Sequence, residues 1–205
     1  MNYSMGKDTT LIKNPRLIGL SGKARSGKNT AAYYIQERLG EDASIDSFAG
    51  NLKRVCMEAF GFTANQVYGN EKLVVDSFWG NTPVYFLQKV GTELFRNMID
   101  KDFWCKSLMK TVDRVLEYED NIIIIDDVRF PNEADAIKER GGILIRINRE
   151  ERPDTGRDPN HPSEIALDDY EGFDYIIDND GTIEELYNKL EVILEQYNNH
   201  QSSQL

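Results

Sequence analysis

Cysteine is nearly missing from this chain: there are two, Cys56 and Cys105, far apart and outside any C-x-x-C pair. A disulfide framework is thereby excluded, and with two histidines there is no zinc-ligand spacing either, so reduced thiols in a cytosol are expected. Long hydrophobic runs are missing too. No stretch approaches the roughly 18–20 apolar residues that span a bilayer, and residues 1–15 hold no apolar signal core, so no membrane partner and a cytoplasmic location are expected. The letters of a myristoylation signal from Met5-Gly6 to Thr10 lie internally, where that signal is not read. Positive charge is scarce as well, with 24 Lys and Arg against 35 Asp and Glu and a net charge of −11. Such a surface repels nucleic-acid backbones and anionic lipids, which excludes a charge-driven polymer binder. A small anion is still bindable wherever the few cations converge.

What is present suits a globular α/β domain. The chain has 205 residues, 40% hydrophobic and 29% charged, enough for one core and too few for a second full domain. Residues 17–20 form a short apolar run ending in Ser21-Gly22, and 30–39 carry helical spacing before Gly40, which reads as strand, glycine loop, helix. A second strand is expected at 44–49. The four consecutive isoleucines of 122–125 read as a strand buried on both faces. Pro131 at a first helical position, Glu133 and Asp135 in the first turn, and Gly141 bracket a helix of about ten residues. Strands at 143–147 and 175–177 follow, then a last helix opened by Thr182 and Glu185, and a frayed polar tail from Asn198. The alternation predicts a five-stranded parallel sheet with helices on both faces. Residues 51–119 offer helices without a convincing strand and suit a helical insertion covering a substrate. Residues 149–162, rich in proline, suit a lid loop, and the whole chain is expected to be one domain over 1–205.

The chemistry sits in a few places. Gly22-Lys23-Ala24-Arg25-Ser26-Gly27-Lys28 satisfies G-x-x-x-x-G-K between strand and helix, the setting in which glycines wrap a polyphosphate and Lys28 supplies a point charge. Asn29 takes the place of the usual hydroxyl, which comes one residue later at Thr30. The isoleucine strand runs into Asp126-Asp127, carboxylates at the carboxyl edge of the sheet, with Arg129 two residues on as a salt-bridge partner or phosphate clamp. Within 83–99, Leu87, Val90, Leu94 and Met98 form one helical stripe, expected to be core. Gln88, Thr92 and Arg96 form a second, either solvent face or donor row. Lys53 and Arg54 after the second strand are surface charges or substrate contacts. Arg149, Arg152 and Arg157 are an ordinary charged loop or lid arginines that close on transferring phosphates.

Several blocks together resemble a known family. Ile18-Gly-Leu-Ser-Gly-Lys-Ala-Arg-Ser-Gly-Lys-Asn-Thr30, Phe48-Ala-Gly-Asn-Leu-Lys53, Leu87-Gln-Lys-Val-Gly-Thr-Glu93 with Arg96, Asp127-Val-Arg-Phe-Pro-Asn-Glu133 and His161-Pro-Ser-Glu164 run in the order seen in the deoxynucleoside monophosphate kinases of bacteriophages. The family usually shows Asp at the positions of Asn29 and Gly50. The resemblance implies a P-loop kinase fold that uses ATP and Mg2+ to phosphorylate a deoxynucleoside monophosphate in the host bacterial cytoplasm, as a monomer or homodimer. It implies ATP contacts from Gly22, Ala24, Arg25, Ser26, Gly27, Lys28, Asn29 and Thr30, and a reaction centre of Lys28, Asp127, Arg129 and Arg149. The acceptor would meet Lys53, Gln88, Thr92, Arg96, Arg129 and Glu133, and Thr30 and Asp127 would hold the metal, in part through water. The chemistry agrees, since a monophosphate whose second pKa is about 6 attacks without a general base, and no nucleophilic Ser, Cys or His is offered. The same loop and sheet would also serve a kinase for another phosphorylated small molecule, of the phosphomevalonate or dephospho-coenzyme A type, or an ATP-binding switch without transfer activity.

Overall fold

Short runs of Ile, Leu and Val build the centre of this protein, whose computed structural model describes residues 16–150 and 162–202. The strands are β1 (Leu17–Ser21), β2 (Ala43–Asp46), β3 (Ile122–Val128), β4 (Ile143–Asn148) and β5 (Tyr175–Asp178). They form one parallel sheet in the order β2-β3-β1-β4-β5, with β1 at its middle, Gly19 aligned with Ile125 on one side and Leu144 on the other. Because successive side chains point to opposite faces, the central strands β1, β3 and β4 feed two cores, while the edge strands β2 and β5 feed one. Ile18, Leu20, Ile124 and Ile145 pack beneath α1 (Lys28–Leu39) and α8 (Ile183–Ser202), while Leu17, Ile123, Ile125 and Leu144 pack beneath α5 (Phe103–Tyr118) and α6 (Pro131–Lys138). All strands end on one edge, where parallel sheets place their ligands. This is the P-loop kinase fold.

Between β2 and β3 the chain is helical: α2 (Gly50–Phe60), α3 (Ala64–Tyr68), a 3-10 turn (Asn70–Leu73), α4 (Pro83–Gln88), a π-helical run (Lys89–Ile99) and α5. Its own core is small, built on Cys56, Phe62, Val67 and Val90 with half-buried Phe60, Phe86 and Phe95 around them.

Three local expectations change. The second strand stops at Asp46 instead of reaching residue 49, because the N–H groups of Phe48 and Ala49 turn inward to the Asp127 carboxylate. The stripe expected as core does not hold together: Val90 is buried but Leu94 is 44% and Met98 76% exposed, and Phe95 packs inward in their place. A π-helix closes i→i+5 bonds, such as Asp100 N–H to Phe95 O, so its turns hold more than the α-helix's roughly 3.6 residues and an i, i+4 row drifts off its face. Finally, α8 runs to Ser202, so the tail expected to fray from Asn198 is helical over most of its length. The expected lid falls largely on 151–161, outside the described residues, as do Arg152 and Arg157.

Candidate active site

The loop between β1 and α1 is shaped by two glycines. Gly22 has φ +146°, and a Cβ there would lie 2.3 Å from Ile147 O; Gly27 has φ +106°, and a Cβ there would strike the Asn179 amide at 2.5 Å. Neither position admits a side chain. Asn179, just past β5 and 5% exposed, donates to Ser26 O at 2.9 Å and so pins the loop from the far side of the sheet. Lys28 opens α1 buried beneath the loop, its Nζ donating to Gly22 O and Lys23 O at 2.8 Å each. Burial, reinforced by the Arg129 charge, pushes its ammonium down to about 7. Ser26 Oγ is buried and has no hydrogen-bond partner among the described residues, an orphan hydroxyl inside a loop built for anions.

The two aspartates part company. Asp127 is half-buried, and its two oxygens accept from Phe48 N–H at 2.7 Å and Ala49 N–H at 3.0 Å, which fixes the loop leading into α2. Desolvation raises its pKa, against the pull of those two N–H groups. Asp126 precedes it where the β1–β3 register is irregular, and both aspartates border one cleft. Desolvation and its neighbour Asp127 push Asp126 up to about 6, while Lys53 and Lys28 oppose the shift. A third carboxylate, Glu133 at the start of α6, is 3% exposed and accepts from Arg129 N–H and Phe130 N–H at 2.9 and 3.2 Å. Desolvation, then Asp127, raises it to about 8.

These groups border a cleft of about 1030 Å³. Its wall includes Ala24, Arg25, Lys28, Asn29 and Arg129 from and beside the phosphate loop, both aspartates, Tyr33 of α1, and Lys53, Arg54, Tyr68 and Lys72 from the stretch after β2. Lys53 Nζ sits 4.4 Å from the centre of the Tyr68 ring. Gln88, Thr92, Arg96, Glu133 and Arg149 are not in this wall. Gln88 and Thr92 are exposed on the far helices, and Arg96 lies over the Phe130 ring at 5.1 Å with Glu133 3.9 Å away. Thr30 follows in the first turn of α1, and Arg149 directly follows β4.

Sequence reasoning passed over Tyr33 and Gln36, although with Asn29 they stand at i, i+4 and i+7 on α1, a spacing that puts all three on one face. Tyr68, Lys72 and Asn179 carried no local signal. Glu164 lay inside a quoted block without a role, and it is buried against the loop, accepting from Ala24 N–H.

Comparison with known proteins supplies the context. The family model described as "Deoxynucleotide monophosphate kinase" matches residues 82–190, more than half of the chain and entirely outside the phosphate loop. A protein of Acanthamoeba polyphaga mimivirus named "Putative deoxynucleotide monophosphate kinase" is 40% identical over 191 residues, covering 85% of this chain and 93% of that one. The deoxynucleotide monophosphate kinase of Escherichia phage RB69 is 30% identical over 108 residues, 53% of this chain and 43% of the phage protein, so the chain spans under half of that relative. Among solved structures, a Mycobacterium tuberculosis APS kinase (TM-score 0.48, 12% identity, 89% of this chain and 98% of that one) and a Campylobacter jejuni dephospho-CoA kinase (0.49, 11%, 89% and 97%) are similar. Both scores lie below 0.5, so the fold rests on the strand order and the loop themselves. With a family model over most of the sheet and a relative matched along nearly its whole length, the chain belongs to the deoxynucleotide monophosphate kinase family.

Proposed function

We propose that the chain transfers the γ-phosphoryl group of ATP to the phosphate of a deoxynucleoside monophosphate, giving ADP and the deoxynucleoside diphosphate. The observation that carries this reading is the cleft's lining: in an acidic protein, one cavity gathers cations from two parts of the chain, Lys28 and Arg129 beside the phosphate loop and Lys53, Arg54 and Lys72 from the helical stretch after β2. Two anions can be held in one cavity there. A switch protein that binds ATP alone needs only the first set.

Phosphoryl transfer asks a protein for alignment and charge, with little covalent work. The loop N–H groups and the orphan Ser26 hydroxyl would receive the ATP phosphates, whose negative charge restores the Lys28 ammonium that burial holds near 7. Lys28 then follows the γ-phosphoryl as its charge redistributes. Lys53 and Arg129 flank the path of the acceptor phosphate, which is already ionised near neutral pH, its second pKa being about 6.

No cluster of three or more His, Cys, Asp or Glu among the described residues could hold a metal unaided. This donor set fits magnesium, an ion bound through one or two carboxylates plus substrate phosphates, whose chemistry here is neutralisation of phosphate charge. Thr30 and Asp126 are the residues that would hold it. Asp127, expected in that role, has both oxygens engaged by backbone N–H groups.

The test is a panel of deoxyribo- and ribonucleoside monophosphates incubated with ATP, followed by ADP release. Release that depends on a deoxynucleoside monophosphate is expected. ATP binding without acceptor-dependent release would defeat the reading, and release with only a different phosphorylated acceptor would move it to another kinase class.

A further inference from the structure

Glu164 lies on α7 (Pro162–Ile165) and is 7% exposed. One carboxylate oxygen accepts from Ala24 N–H of the phosphate loop at 2.7 Å, and the other accepts from Arg129 Nη1 at 3.0 Å. The same Nη1 also donates to Ser163 O at 3.2 Å. Two elements that nothing in the local sequence connects, the loop after β1 and the arginine after β3, are therefore tied through a single buried side chain. Both tied groups stand in the cleft wall, whereas Glu164 does not. Its carboxylate is behind the wall, so a nucleotide can fill the cleft without displacing it.

We infer that Glu164 is a positioning residue for phosphoryl transfer: it holds the Arg129 guanidinium at a fixed place relative to the phosphate loop. A guanidinium has five N–H donors in a rigid fork, so with Nη1 engaged by Glu164 and Ser163 the donors on Nε and Nη2 are left for a ligand in the cleft that Arg129 lines. A long side chain tethered in this way is ordered before substrate arrives, and its charge stabilises the transition state without first having to be immobilised. Charge-assisted bonds of this kind are short and strong, and burial shields the pair from solvent screening. The inference rests on the kinase reading for the identity of the reaction, while the tie itself is independent of it.

The test compares Glu164→Ala and Glu164→Gln with Arg129→Ala and with the double variant Glu164→Ala/Arg129→Ala, in steady-state transfer, calorimetric ATP binding and thermal unfolding. Glu164→Ala is expected to lower kcat about ten- to a hundredfold, the scale on which a misplaced catalytic group acts, and to weaken ATP binding severalfold. In the Arg129→Ala background the same substitution should change either quantity less than about twofold, because the group it positions is gone. Glu164→Gln keeps the shape and one acceptor oxygen and should fall between, which leaves the inference falsifiable if the alanine variant fails to fold. A drop in melting temperature with kcat and ATP affinity unchanged, or losses that add to those of Arg129→Ala, would show a plain staple and overturn the assignment. Tighter ATP binding and faster turnover in Glu164→Ala would overturn it too, by showing a carboxylate that occupies a phosphate's place. If the wild type transfers nothing yet the ATP-binding cycle still shows the coupling, the kinase reading fails and the tie stands.

Discussion

The sheet side of the cleft and the helical side are built differently. Beneath the phosphate loop, Ile18, Leu20, Ile124 and Ile145 are at most 1% exposed, and Asn179, Glu164 and Lys28 each add a hydrogen bond that fixes the loop from a different direction. On the helical side, four residues make up the fully buried core, and between them and solvent stand Leu73 at 74% and Phe78 at 83% exposure. The phosphate-loop side is thus pre-organised, its geometry over-determined by contacts from α1, α7 and the residue after β5. The helical side carries a smaller buried cluster, the condition under which local opening is cheap. A kinase that must bind two nucleotides and exclude water during transfer gains from one fixed wall and one that adapts.

The largest effect expected from probing this contrast is at the fixed wall. Lys28→Ala should lower kcat by about a thousandfold or more in a protein that still folds, since it removes the charge that follows the transferred phosphoryl along with two hydrogen bonds to the loop. Turnover within about tenfold of wild type in a folded variant would remove Lys28 from the reaction.

Next come paired core truncations. Ile124→Ala, fully buried in the sheet, should destabilise the whole domain by about 2–5 kcal/mol in denaturant unfolding. Trp79→Ala, 38% exposed and edge-on to Phe60, should lower stability by about 1 kcal/mol while raising the acceptor KM severalfold and leaving ATP binding unchanged. Equal losses of stability at the two sites would mean the helical side is as firmly built as the sheet.

The aspartate pair sharpens the contrast within one strand. Asp126→Asn should reduce kcat about a hundredfold with stability kept, by removing a carboxylate that faces the cleft. Asp127→Asn should cost about 1–3 kcal/mol of stability, because an amide cannot accept from both Phe48 and Ala49 and leaves one buried N–H unpaired. The reverse pattern would move the role in transfer to Asp127.

The last effect is a pH dependence of the fixed wall. Without nucleotide, Lys28 titrates near 7, and bound phosphates raise it. Above pH 7 the empty protein therefore holds Lys28 neutral, and binding takes up about one proton, so ATP affinity should fall roughly tenfold per pH unit from 7 upward until the bound-state pKa is reached. Calorimetry in buffers of different ionisation enthalpy reads the uptake directly. Affinity that is flat between pH 7 and 9 would show that Lys28 is already charged before binding.

How much of this was legible beforehand follows from the range of the forces involved. The glycine loop announces itself because its backbone shape demands Gly22 and Gly27 at set positions, and the isoleucine run of β3 because a strand buried on both faces cannot alternate with polar residues. The row Gln88, Thr92, Arg96 supposes α-helical spacing, which the π-helical run from Lys89 to Ile99 breaks, and none of the three lines the cleft. That run owes its shape to the packing of Phe95 and Val90 inward and to Trp104 Nε1 donating to Gly91 O, contacts absent from any local pattern.

By itself, then, the sequence determined the order of strands and helices, the phosphate loop and the acidic balance of the chain, since each depends on composition or on residues adjacent in the chain and on short-range steric and solvation rules. Only the tertiary structure decided that Asp127 accepts from Phe48 and Ala49 while both aspartates line the cleft, that Lys72 and Tyr68 join Lys53 in its wall, and that Glu164 and Asn179 fasten a loop some 140 and 153 residues away. Those choices turn on side-chain direction and on contacts closed by the fold, and a buried carboxylate or amide is worth its desolvation only where the fold brings it a partner.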